Sequence, residues 1–107
     1  MPRKRRDDRS PYREIWERKA DGRALCALVH GDVGWLMWLR EPGDSGYSSR
    51  NPEYDGPEDA TIDFLLSNGQ RDEYPASWAL PLATVERALE HFRETGARAP
   101  FVKWHAD

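Results

Sequence analysis

Residues 81–96, with the sequence PLATVERALEHFRETG, decide the fold class. Apolar residues recur there at intervals of three and four, which gives a helix one apolar face. These residues are Leu82, Val85, Leu89 and Phe92. Pro81 suits the first helical position, and Gly96 suits the position just past the end, where a left-handed residue closes a helix. The pattern predicts a helix over residues 82–95.

Short segments typical of strands lie on both sides of this helix. The apolar runs ALCALV (24–29) and WLMWL (35–39) flank residues 30–34, whose two glycines favour a turn, so together they predict a hairpin. Residues 12–16 suit a strand or a helical turn equally. Further strands are predicted at residues 61–67, 72–74 and 101–104, with a turn at Asn68-Gly69.

Several strands followed by one late helix and a returning strand are typical of an α+β domain. We therefore predict an antiparallel sheet of about five strands packed against one C-terminal helix, with a short C-terminal strand. Residues 11–107 are assigned to this single domain. Residues 1–10, MPRKRRDDRS, are predicted to be a disordered basic arm, because they have too little apolar surface to offset the entropy of ordering.

Residues 41–60 contain three prolines, three glycines and three serines, a composition that predicts a long connection and disfavours a helix. A structureless loop of this length is unusual inside a compact domain. Two explanations are open: a short strand near residues 47–50 or a binding role for the loop.

Charge is distributed unevenly along the chain. The 107 residues include 16 Lys or Arg and 19 Asp or Glu, a formal net charge of −3. Residues 1–19 carry +4, whereas residues 41–73 contain nine acidic and two basic side chains. An acidic body disfavours wrapping around nucleic acid, because affinity for phosphates comes mainly from Lys and Arg. It favours a basic protein partner, since charge complementarity speeds and orients association.

The composition also bears on location and chemistry. No run of residues is long and apolar enough for a membrane span or a signal peptide, and the single cysteine, Cys26, fits a reducing compartment. We therefore expect a cytoplasmic protein without membrane contact. The chain has five Trp residues, whose large apolar rings must be buried by other parts of the protein or by a partner. Trp35 and Trp38 should lie on opposite faces of a strand, one in the core and the other under a second cover or at an interface.

Few residues are suited to catalysis. The three histidines lack the short spacing of a zinc motif, and Cys26 lies in an apolar run, where burial makes a thiol a weak nucleophile. Motifs for acyl transfer and nucleotide binding are absent from the sequence. We therefore expect no enzyme activity, catalytic residue, metal, cofactor or small-molecule substrate. A small enzyme would need a pocket that joins distant carboxylates, for example Asp63 and Glu90.

The C-terminal third carries a distinctive series of residues, namely Pro81, Val85, Ala88, Phe92, Gly96, Arg98, Pro100 and Trp104. On these residues, 73–107 resemble the first immunity-protein family of bacterial polymorphic toxin systems, which includes inhibitors of deaminase toxins. Residues 34–36 and 47–51 look like the family's central strands. In the family a proline commonly follows the arginine directly, whereas Ala99 intervenes here.

The resemblance implies a small protein that neutralises a cognate toxin by covering its active site or substrate groove. If the toxin acts on nucleic acid, as many in these systems do, its groove is basic. We hypothesise that the acidic segment, residues 41–73, fills this groove, with two tyrosines as rigid anchors. The toxin-facing residues would be Tyr47, Glu53, Tyr54, Asp55, Glu58, Asp59, Asp72 and Glu73.

Two other interpretations stay open. The toxin interface can lie elsewhere, with the acidic segment merely solvated. Alternatively, the protein is a nucleic-acid-associated accessory protein that uses the basic run at residues 3–6. Deleting residues 2–9 separates the functions, because a nucleic-acid binder would lose affinity whereas an immunity protein would still rescue a cell that makes the toxin.

Overall fold

The computed structural model describes residues 10–107, which contain one α-helix and eight strands. The strands are β1 (Tyr12–Arg18), β2 (Ala24–His30), β3 (Val33–Leu39), β4 (Tyr47–Arg50), β5 (Thr61–Leu65), β6 (Arg71–Pro75), β7 (Leu80–Pro81) and β8 (Lys103–Ala106). Helix α1 is Leu82–Thr95, and a 3₁₀ turn at Ala76–Trp78 precedes β7. The predicted disordered arm falls almost entirely on residues 1–9, outside the described residues.

The main sheet has six strands in the order β1-β2-β3-β4-β8, with the short β7 also paired to β3. All of its pairs are antiparallel. The segment that suited a strand or a helical turn is the edge strand β1, in register with β2 from Tyr12 opposite His30 to Arg18 opposite Ala24. The predicted α+β class is confirmed.

The β2–β3 hairpin is tighter than predicted. Residues 30–34 were expected to form its loop, but His30 pairs with Val33 and only Gly31 and Asp32 form the turn. Gly31 has a φ of 64°, a left-handed conformation that two-residue hairpin turns require. Strand β3 includes Gly34, which lies under Val85 of α1. A Cβ at position 34 would be only 3.0 Å from the Val85 Cγ2, so the absence of a side chain suits this close contact.

Both faces of the main sheet are covered. On one face α1 buries Val85, Ala88, Leu89 and Phe92 against the β2 and β3 side chains that alternate toward it. On the other face β5 and β6 form a separate two-stranded sheet, whose Phe64 is 1% exposed against Cys26, Leu28 and Trp35. Trp35 and Trp38 therefore lie on opposite faces, as predicted. Both are buried, because α1 covers the face with Trp38 and the β5–β6 hairpin covers the face with Trp35.

Helix α1 has the predicted bounds, but its start differs in detail. Pro81 is the residue before the first helical one, and it pairs with Val33 as the end of β7. Its extended ψ of 145° explains why it does not join the helix. Gly96 ends the helix as predicted, with a φ of 74° and its N–H donated to the Phe92 carbonyl at 2.7 Å.

The C-terminal strand begins two residues later than the predicted start at Phe101. The Val102 N–H is donated to the Ala99 carbonyl at 3.3 Å, so residues 99–102 turn before β8 begins at Lys103. Within residues 10–107, no helix is long and apolar enough to cross a membrane.

Candidate functional site

The loop that joins β4 to β5, residues 51–60, is called the acidic loop below. Hydrogen bonds hold both of its ends. The Asn51 side chain accepts the Glu53 N–H at 3.0 Å and donates to the Ala79 carbonyl at 3.1 Å, and the Asn51 N–H is donated to Ser77. At the other end the Ala60 N–H is donated to Pro57 at 3.3 Å. The predicted long connection, residues 41–60, thus contains the short strand β4, and the acidic loop after it has a defined conformation without regular secondary structure.

Tyr54 holds the middle of the acidic loop. Its hydroxyl donates to the Pro57 carbonyl at 2.9 Å, and its N–H is donated to Asn51 at 3.1 Å. Gly56 lies under the ring: a Cβ at Gly56 would be 2.5 Å from the Tyr54 hydroxyl oxygen. The ring is half-buried and anchors the loop internally. It acts here as a support for the loop backbone.

Four carboxylates project from this supported loop. Glu53, Asp55, Glu58 and Asp59 are all exposed. None of their side chains forms an ion pair or a side-chain hydrogen bond with another residue in the part of the chain that the structure describes. Their charges are therefore available to an incoming partner.

Other carboxylates of the acidic segment already have partners. Asp44 forms an ion pair with Arg40 at 2.8 Å, and hydrogen bonds from the Arg40 side chain and N–H lower the Asp44 pKa. Asp63 accepts a hydrogen bond from the Tyr12 hydroxyl at 2.9 Å and pairs with Arg71. These contacts, Tyr12 first, lower the Asp63 pKa. Asp63 thus joins β5 to β1 and β6, whereas Asp44 holds the connection between β3 and β4.

Asp72 and Glu73 on β6 both accept hydrogen bonds, but they differ in exposure. Asp72 is half-buried and accepts hydrogen bonds from Gln70 at 2.7 Å and from the Tyr74 hydroxyl at 3.1 Å. Glu73 is exposed and accepts one from Thr61 at 2.7 Å. Consecutive strand residues point to opposite faces, so the two carboxylates do not belong to one surface.

Tyr47 lies apart from the acidic loop. Its half-buried ring packs with the helix-side core, 5.8 Å from the Trp38 ring, and lies 3.9 Å under the Arg98 guanidinium. The structure thus separates the two predicted anchors: Tyr54 is in the loop, and Tyr47 is on the helix face of the sheet.

The residues after α1 are fixed by contacts between elements. Trp38 donates its indole N–H to the Gly96 carbonyl at 3.1 Å, and Trp104 donates its own to Ala99 at 2.9 Å. Arg98 stacks on Tyr47 and Trp38. Ala99 is 2% exposed in the helix-side core, so a small side chain fits between Arg98 and Pro100.

A family model described as Immunity protein Imm1 matches residues 3–106, nearly the whole chain. The chain belongs to the Imm1 family. No curated protein is significantly similar to it. The predicted resemblance is confirmed, and membership of the Imm1 family identifies an immunity protein, a class with a toxin as partner and generally without enzyme activity.

The geometry of this Imm1 member disfavours the carboxylate-pair interpretation. Asp63 lies in the β5–β6 hairpin on one face of the main sheet, and Glu90 is exposed on α1 on the other face. Burial raises the pKa of the Cys26 thiol to about 12, so the thiolate is scarce at neutral pH. No group of three or more His, Cys, Asp or Glu side chains between Ser10 and Asp107 could hold a metal ion.

Sequence reasoning missed a second surface in this Imm1 protein. A groove of about 700 Å³, whose lining includes Glu53, is also lined by the basic residues Arg50, Arg87 and Lys103 and by the exposed Phe101. These residues come from β4, α1, the turn after it and β8, so no local pattern marks them. The only sequence signal is the aromatic and basic pair in the terminal FVKW.

Proposed function

We propose that this immunity protein neutralises a nucleic-acid-targeting toxin by placing the acidic loop in the toxin's basic substrate groove. One observation carries the proposal: four exposed carboxylates of one loop, Glu53, Asp55, Glu58 and Asp59, have no ion-pair partner among residues 10–107. A groove that binds phosphates offers the complementary charge.

The supported loop makes such binding efficient. Hydrogen bonds from Asn51 and Tyr54 already fix its backbone, so little conformational entropy remains to be lost on binding. Among the residues hypothesised from the sequence, the proposal keeps Glu53, Asp55, Glu58 and Asp59 as contacts and gives Tyr54 a supporting role. Tyr47, Asp72 and Glu73 are left outside the central contact, because their side chains are committed to neighbours.

Inhibition then needs no chemistry from the immunity protein. Carboxylates in the substrate groove exclude nucleic acid both by occupying space and by cancelling the positive potential that attracts phosphates. A toxin of this kind acts on nucleic acid inside the cell, so we expect the inhibitor to work in the cytoplasm.

The test uses the cognate toxin domain, to be sought at the C-terminus of a large secreted protein encoded next to the immunity gene. The variant Asp55→Lys/Glu58→Lys/Asp59→Lys should weaken binding at least about tenfold and flatten its dependence on salt, because complementary charges become repulsive. The matched control is Glu86→Lys/Glu90→Lys/Glu94→Lys, the same charge change on three exposed residues of α1. The control should bind and protect cells like the parent protein.

The proposed mechanism fails if the loop variant and the helix variant bind the toxin equally across the salt series. Loss of protection by the helix variant alone would locate the interface on α1. Deletion of residues 2–9 should leave protection intact, because the proposal assigns no role to the basic run.

A further inference from the structure

The groove beside the acidic loop has an apolar base and a basic rim. Leu80 and Val102 are 5% and 6% exposed and line it together with Pro81 and Pro100. Three basic residues, Arg50, Arg87 and Lys103, are part of its lining, whereas Glu53 is the acidic residue of the lining. The groove therefore carries the opposite charge to the loop that adjoins it.

Within residues 10–107, the three basic residues of the groove form no ion pair. Arg23, Arg40, Arg71 and Arg93 each pair with a carboxylate. Between Ser10 and Asp107, no carboxylate lies within ion-pair distance of Arg50, Arg87 or Lys103. Their positive charge is left for a ligand.

Arg50 is held by contacts outside the groove. Its Nη1 donates to the Ser48 hydroxyl at 3.0 Å and to the Ser49 carbonyl at 2.8 Å, and its guanidinium lies 3.7 Å from the centre of the Trp78 ring. Partial burial lowers its pKa, and the charge of Asp107 offsets part of this effect. Because neither Ser48 nor Trp78 lines the groove, the Arg50 guanidinium adds to the positive potential of the groove only from a distance.

Phe101 adds an apolar anchor point. It is 47% exposed, and the Arg87 guanidinium lies 4.8 Å from its ring centre. An exposed aromatic ring flanked by arginine in a concave surface has the composition of a binding hot spot.

We propose that this groove binds an acidic segment of the toxin, with carboxylates facing Arg87 and Lys103 and an apolar side chain against Phe101. The identity of the partner rests on the proposed function. Nucleic acid is the less suitable occupant, because its continuous negative charge would run past the carboxylates of the adjoining acidic loop. A protein surface with acidic and basic patches side by side satisfies both the groove and the loop.

The groove chemistry can be tested without the toxin. A fluorescent heptapeptide of Asp, Glu, Phe and Leu should bind saturably, more weakly at high salt, and shift the amide NMR signals of the groove residues. A matched peptide with Lys in place of the acids and a single-stranded oligonucleotide should not bind there. The variant Arg87→Glu/Lys103→Glu should weaken peptide binding at least about tenfold.

The control variant is Arg13→Glu/Arg18→Glu, the same charge change on exposed residues of β1, at the opposite edge of the main sheet. It should bind the acidic peptide within about twofold of the parent, because the shift in net charge is the same but distant. Equal weakening in both variants, no saturable binding, or preferred binding of the oligonucleotide would overturn the proposal. So would a dimer that forms through the groove, since its occupant would then be a second copy.

A second arm separates this inference from the proposed function. Arg87→Glu/Lys103→Glu should also weaken binding to the toxin domain. If this variant binds the toxin like the parent while losing the peptide, the toxin is not the occupant and the inference fails although the loop mechanism stands. If the loop variant Asp55→Lys/Glu58→Lys/Asp59→Lys binds normally and the groove variant does not, the loop mechanism fails and this inference stands.

Discussion

The guanidinium carbon of Arg98 lies 3.9 Å from the centre of the Tyr47 ring, and 5.3 Å from that of Trp38. One exposed arginine thus joins the turn after α1 to two neighbouring strands. Tyr47 is in turn paired with Ala106 of β8, so the contact lies where the helix, β3, β4 and the C-terminal strand meet.

Replacement of Arg98 by Ala should lower the free energy of unfolding by about 1 kcal/mol, the range of a partly desolvated cation–π contact plus lost packing. Urea denaturation measures the change. Tyr47→Phe is the control: it keeps the ring, so stability should stay within about 0.5 kcal/mol of the parent. A larger loss in Tyr47→Phe would mean that the hydroxyl, and not the ring, carries the contact.

Gly96→Ala should destabilise the protein more than Gly31→Ala does. Both glycines have a positive φ, which costs an L-residue about 1–2 kcal/mol. A Cβ at Gly31 meets nothing within 4 Å, whereas one at Gly96 would lie 2.5 Å from the Arg23 guanidinium carbon. Thermal unfolding of the two variants compares them directly. Equal costs would indicate that Arg23 moves aside freely.

Stability should fall on acidification in part through Asp63. Its pKa is lowered in the folded protein, chiefly by the Tyr12 hydroxyl and also by Arg71 and the charge of His30. The unfolded chain therefore takes up this proton at higher pH, so the stabilisation is complete above about pH 5 and is lost as pH falls through the folded pKa. The difference in unfolding free energy between the parent and Asp63→Asn should shrink across that range.

Tyr12→Phe provides the matched variant for this pH effect. It keeps the Asp63 carboxylate and removes the donor that lowers its pKa most. Its acid transition should resemble that of Asp63→Asn more than that of the parent. An unchanged profile would assign the acid sensitivity to other carboxylates, such as Glu14, whose pKa is lowered by hydrogen bonds from Ser67 and Trp16.

Phe64→Ala should cost about 3–5 kcal/mol, because the side chain is 1% exposed and fills the space between the hairpin and the main sheet. Phe101→Ala should change stability by less than about 0.5 kcal/mol, since its ring is half in solvent. Amide hydrogen exchange in Phe64→Ala should become faster first in β5 and β6. A small effect of Phe64→Ala would show that the two-stranded sheet contributes little to folding.

Local patterns predicted the parts of this fold that depend on local interactions. The spacing of Leu82, Val85 and Leu89 sets the helix, and Gly96 ends it, so its bounds needed no tertiary information. The start of the C-terminal strand was predicted two residues too early, because Phe101 and Val102 are residue types that favour strands while their backbone turns. Residue type alone does not distinguish the two.

Long-range contacts account for what the sequence could not predict. That β5 and β6 leave the main sheet and cover its second face depends on Phe64 meeting Trp35. The charge count located the acidic segment, but it did not separate Asp44 and Asp63, which pair with arginines, from Asp55 and Glu58, which have no ion-pair partner among residues 10–107. The basic groove joins residues separated by more than fifty positions, so no sequence window contains it.

In the acidic loop, one set of contacts fixes the backbone, and a different set of atoms, the exposed carboxylates, carries the charge. The loop's backbone is held by Asn51, Tyr54 and Pro57, and among residues 10–107 its exposed carboxylates make no contact on which that backbone depends. Substitutions at positions such as Asp55 and Glu58 should therefore change the charge that the loop presents without changing the path of its backbone. Under the proposed mechanism, a lineage that encounters a diverged toxin would adjust recognition at these positions one residue at a time while the scaffold stays constant.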